Sequence, residues 1–144
     1  KNPLFPYVSA LNQTRRHLME FIQTDKAPKA VGPYSQAVKV GNLLFLSGQI
    51  PIDPATNELT LYDGDVAKQT ELVMSNMKAV LASEGLTLNN VVKTGVFLKD
   101  MGDFAIVNEI YAAHFGDHKP ARACIEAARL PKDVSVEIEA IAVY

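Results

Sequence analysis

Apolar residues recur along this chain at two periods. From Gly32 onward, "SQAVKVG" and "LLFLSGQI" alternate as strands do and flank Gly41-Asn42, a turn dipeptide. "IDPATNEL" is rich in turn residues and reads as a surface loop. In "DGDVAKQTELVMSNMKAVLASEG" the period lengthens. Val66, Thr70, Val73, Met77 and Val80 fall three or four apart, with Met74 and Leu81 beside them, which predicts a helix. Asp63 or Asp65 is placed to cap its start, and Gly85 to end it. "NVVKTGVFLKD" returns to strand character. "DFAIVNEIYAAHFG" predicts a second helix with Asp103 at its N-cap, a stripe of Ile106, Val107, Ile110 and Tyr111, and Gly116 at its end. "PARACIEAARLPKDVSVEIEAIAVY" closes the chain as two strands, read as a hairpin.

The order is ββαβαββ, an α+β sandwich with both helices on one face of the sheet. The strands "LLFLS", "VVKTGVFL" and "IEAIAV" are apolar on both faces, and two helices cover only one. Self-association is the economical cover for the other. The competing reading folds the N-terminal segment over it. Residues 1–24 read as an arm, broken by Pro3 and Pro6, in which "SALNQTRRHLMEFIQ" could form a short helix. Residues 25–144 read as one domain.

Composition narrows the classes. Net charge is −2, from 14 basic and 16 acidic residues, which argues against a phosphate-tracking nucleic-acid binder. One cysteine forms no intrachain disulfide and fits a reducing, cytoplasmic setting. No apolar run approaches the ~18 to 20 residues of a membrane span. Residues 1–19 contain Lys1, Arg15, Arg16 and His17 and no acid. That pattern reads either as the tail of an organellar transit peptide, mitochondrial for example, or as an appended arm.

The candidate chemistry lies in the closing strands. Alternation puts Arg122, Cys124 and Glu126 on one face of the first strand, and Glu137, Glu139, Ile141 and Val143 on one face of the second. A four-residue turn at Leu130–Asp133 would set residue 126 opposite 137 and bring both sets to the same face. A half-buried guanidinium needs a partner. One reading is a structural ion pair with Glu137, Glu139 or Glu126. The other is capture of an anionic ligand by two parallel N–H···O bonds, with Glu137 orienting or deprotonating a water. Cys124 has no histidine placed to activate it and reads as an inert thiol. His114, Asp117 and His118 straddle Gly116, so they make a poor metal set and read as solvated helix-end residues.

"GPYSQAV", "SGQI", "VVKT-VF-KD--DF--VNEIY", "PAR-C-E-ARLPKD" and "EIEAIAV" together resemble the YjgF/Rid family of reactive intermediate deaminases, called endoribonuclease L-PSP or translation inhibitor in older usage. The resemblance runs from about Asp25 to Tyr144. It implies a chorismate-mutase-like fold and a homotrimer with a central β-barrel and active sites in the clefts between subunits. It also implies hydrolysis of 2-imino acids or their enamines, such as 2-iminobutanoate and 2-iminopropanoate, to 2-oxo acids and ammonia without cofactor or metal. By motif, the catalytic residues would be Arg122, holding the substrate carboxylate, Glu137, positioning the attacking water, and Tyr34, lining the cleft and bonding to substrate or water. The backbone at Cys124 would contact the ligand. Ser47, Gly48 and Asn108 would line or support the pocket. Two departures stand out: Lys119 lies where the family usually has an aromatic residue, and the arm is longer than usual. The rival readings are an endoribonuclease or translation inhibitor working through His114 and His118, and a non-catalytic small-ligand or chaperone-like protein.

Overall fold

A computed structural model describes residues 19–144. Six strands form one mixed sheet in the order β1-β2-β3-β8-β6-β7. They are β1 Met19–Ile22, β2 Ala37–Val40, β3 Leu43–Gln49, β6 Val91–Leu98, β7 Ala121–Glu126 and β8 Val136–Val143. The expected loop at "IDPATNEL" contains a small antiparallel ladder, β4 Ile52–Asp53 with β5 Glu58–Leu59. The helix expected from Ser9 lies outside the described residues up to Leu18. Its remainder is not helical, because Met19–Ile22 pairs antiparallel with β2 at the sheet edge.

Helix α1, Val66–Ser83, begins where the Asp65 side chain accepts from Lys68 N and gives way at Gly85, whose φ is 70°. Its apolar stripe is buried as the spacing predicts: Val73, Met74, Met77, Val80 and Leu81 are fully enclosed. Helix α2, Phe104–Phe115, departs from its expected start. Asp103 makes no capping bond, and Asp100 instead accepts from Gly102 N to cap the preceding 3-10 turn. Its buried face is Val107, Tyr111 and Phe115, while Ile106 is exposed, because the helix is rotated toward the strand carrying Thr94. Both helices pack on the face of the sheet that carries Leu44, Leu46, Val96, Leu98, Ile138 and Ala140.

The closing hairpin does not form. β7 pairs in parallel with β6, and β8 pairs antiparallel with both β6 and β3, so β6 lies between the two closing strands. The reason is α2. A strand that follows a crossover helix returns parallel to the strand before it, and β7 adds beside β6. Residues 127–135 then carry the chain to the centre of the sheet, through a turn with Lys132 and Asp133 at φ 55° and 59°.

Candidate active site

The register separates the two charged residues. Arg122 is level with Thr94 and Ala140, both buried under the helices, whereas Glu137 is level with Phe97 on the opposite face. The same-face placement of Arg122 and Glu137 is therefore wrong. Two ladder steps of about 4.8 Å and the thickness of the sheet divide them.

On the sheet face that no described helix covers, a cavity of ≈ 590 Å³ gathers Tyr34, Ser47, Gly48, Glu137, Glu139 and Lys132, with Ile50 and Ile52 on its wall; the N-terminal segment that could fold over this face lies outside the described residues up to Leu18. The elements around it are tied down by buried amides. Gln36 bonds Thr24 N, Thr24 O and Pro28 O at 2.6, 3.0 and 2.7 Å, which fixes the segment leading to Tyr34. Ser47 Oγ donates to Ser35 O at 2.5 Å. Asn76 Nδ2 donates to Ile52 O at 2.8 Å. Gln69 Oε1 accepts from Ser135 N at 2.9 Å, just before β8.

Gly48 is required by the approach of Glu137. A Cβ there would collide with Glu137 Oε1 and stand 2.9 Å from its Cδ. Gly95 bears the same relation to Glu139, with 2.9 Å to Oε1. Burial raises the Glu137 carboxyl above its usual range, and the charge of Glu139 adds to the rise. Among the described residues, neither carboxylate makes an ion pair.

On the helix face, Arg122 Nη1 donates to Asn108 Oδ1 at 2.8 Å. Its guanidinium lies 4.9 Å from the Tyr111 ring centroid and 5.6 Å from that of Phe104. Among the described residues it pairs with no acid, so the structural ion pair with Glu137, Glu139 or Glu126 is absent. Glu126 instead accepts from Met101 N. Cys124 is half-buried, and burial pushes its thiol up against the opposing pull of Arg122, which keeps it protonated and weakly nucleophilic.

The histidines do not converge. His114 Nε2 meets Glu71 Oε2 at 2.6 Å, joining the helices, while His118 Nε2 donates to Val91 O at 2.6 Å. No group of three or more His, Cys, Asp or Glu among the described residues is arranged to hold a metal ion.

The structure therefore brings Tyr34, Ser47, Gly48 and Glu137 together, and separately Arg122, Asn108 and Cys124. Sequence reasoning missed Lys132, Ile50 and Ile52, which carry no signal of their own. It also read Tyr111 as plain core. The 104, 108, 111 spacing on α2 was the available clue that these residues share a face.

Residues 24–144 match the family model described as Endoribonuclease L-PSP. The chain belongs to the YjgF/Rid family. A RutC family protein of Pyrococcus horikoshii is 57% identical over 125 residues, covering 87% of this chain and 98% of the relative. An Escherichia coli protein named 2-iminobutanoate/2-iminopropanoate deaminase is 51% identical over 125 residues, covering 85% and 95%. Among solved structures, RidA from an Antarctic Psychrobacter superposes with TM-score 0.82 at 49% identity, covering 87% of this chain and 99% of that one. E. coli TdcF with bound serine superposes with TM-score 0.80 at 45% identity, covering 87% and 98%. The Rid fold is thus that of this α+β chain over almost its full described length.

Proposed function

We propose that this protein is a 2-iminobutanoate/2-iminopropanoate deaminase, hydrolysing small 2-imino acids to 2-oxo acids and ammonia. The observation that carries this reading is Arg122. Its guanidinium is held by a neutral amide and two rings, and among the described residues it pairs with no acid and its Nε–Nη2 edge has no acceptor, leaving that edge for a carboxylate. The name borne by the 51% identical E. coli relative supports the same substrate class.

Arg122 and Glu137 lie on opposite faces of one sheet, so a small acid cannot touch both within one protomer. We assign the complete site to a cleft between copies, in which Arg122 of one chain meets the Tyr34–Glu137 pocket of the next. A homotrimer closed around the uncovered sheet face fits this requirement. Exposed Phe21, Phe45 and Ile125 on that face are the apolar surface it would bury.

The chemistry needs few groups. An enamine first tautomerises to the iminium. Water adds to the electrophilic iminium carbon as Glu137 takes its proton. The resulting carbinolamine receives that proton on nitrogen, Glu137 then takes the hydroxyl proton as the C–N bond breaks, and ammonia leaves with the 2-oxo acid behind. Arg122 orients the carboxylate, and Tyr34 closes the pocket wall. A substrate without a carboxylate would leave the guanidinium unpaired, which is the source of selectivity.

The test generates 2-iminobutanoate in situ with a threonine dehydratase and follows ammonia release. Wild type accelerates release and Arg122→Ala does not. RNA cleavage that survives Arg122→Ala and is lost with His114→Ala would favour the ribonuclease reading instead.

A further inference from the structure

We infer that Tyr111 is a positioning residue that holds the Arg122 guanidinium ready for the substrate carboxylate. This rests on the reading of Arg122 as the carboxylate-binding group.

The argument begins with what a long side chain on an edge strand would otherwise do. β7 is the last strand of the sheet, and Arg122 is exposed on it. A free arginine there samples many rotamers, and ordering it on binding would cost part of the affinity. Three side chains from one face of α2, spaced as Phe104, Asn108 and Tyr111, restrain it. Asn108 fixes Nη1 at 2.8 Å. That leaves Nε and Nη2, the edge suited to a side-on carboxylate, with no acceptor among the described residues.

Tyr111 gives the guanidinium a floor. Its centroid is the nearer of the two rings, and a flat delocalised cation stacks on such a face. The floor is rigid. Tyr111 is 7% exposed, and its hydroxyl is 2.7 Å from Thr94 Oγ1, which is itself 1% exposed. Phe115 packs against it with centroids 4.5 Å apart. Thr94 is also the β6 partner of Arg122 in the ladder, so ring and guanidinium are referred to the same point of the sheet. Asn108 thus sets the rotation of the guanidinium plane, and Tyr111 sets its height.

The probe is 2-oxobutanoate, the carboxylate-bearing product, titrated into Tyr111→Leu, Tyr111→Phe and Arg122→Lys. The signature is the Arg122 Nε–H proton resonance, which a ring face beneath it moves upfield. Tyr111→Leu is expected to weaken binding roughly 10-fold and to abolish the upfield shift, with kcat at saturation changed less than KM. Tyr111→Phe keeps the ring and is expected to keep most of the shift, with about a 3-fold loss at most. If Arg122→Lys weakens binding while Tyr111→Leu, folded by circular dichroism, does not, the positioning role is overturned. If Tyr111→Leu does not fold, a Tyr111→Phe protein whose Nε–H lies at the ordinary arginine position overturns it equally. If Arg122→Lys binds as wild type does, the carboxylate reading itself fails.

Discussion

At the scale of single residues, the site divides into groups held in unfavourable states and groups held at rest. Glu137 is of the first kind. A carboxyl raised by burial is less stable ionised in the folded protein than in the unfolded chain. Its contribution to stability is therefore complete at acid pH, below the ordinary carboxylate range, and is lost as pH rises through the elevated folded value. Glu137→Gln should accordingly be at least as stable as wild type at pH 7 and show no such loss on going from pH 4 to pH 7. Thermal melts across that range test this. The same variant should bind 2-oxobutanoate and turn over ~10²–10⁴-fold more slowly; an unchanged rate would remove Glu137 from catalysis. The charged and titratable groups sharing its cavity are Lys29, Tyr34, Lys132 and Glu139. Glu139 is the one that adds to the rise, so Glu139→Gln should move the acid limb of the rate profile to lower pH. Cys124 is at rest, and Cys124→Ser should be nearly silent in the deamination assay. A loss of orders of magnitude there would assign chemistry to the thiol.

At the scale of elements, local signals were read well where the chain satisfies itself locally. The α1 stripe, its Asp65 cap and the Gly41 turn each depend on neighbours a few residues away. Asp65→Ala should cost about 1 kcal/mol, read as a fall of ~3–4 °C in Tm. The closing strands show the limit. Both were legible as strands, yet nothing in "ARLPKD" says that β6 will insert between them. Strand pairing is decided by which crossover reaches which edge, and that depends on α2 packing some tens of residues earlier. One wrong neighbour moved Arg122 from beside Glu137 to the opposite face. The exposure of Ile106 has a similar origin: the spacing on α2 allowed two faces, and the Tyr111–Thr94 bond belongs to the one that turns inward.

At the scale of the whole molecule, the sheet face that no described helix covers governs the outlook. Phe45 is 42% and Ile125 50% exposed on it. If the proposed shared cleft is correct, light scattering should return a trimer, and Phe45→Glu should shift it toward monomer with loss of the proposed deaminase activity, because each proposed half-site would then lack its complement. A wild-type monomer with full activity would contradict the shared cleft. By itself the sequence determined the α+β class, the two helices, the main strands of the sheet and the kinds of chemical group available, because these follow from periodicity, turn chemistry and side-chain type. Tertiary structure alone decided which groups meet. Strand order sent Arg122 to the helix face and Glu137 to the other, since neighbouring strands are chosen by packing across the chain and not by the residues between them.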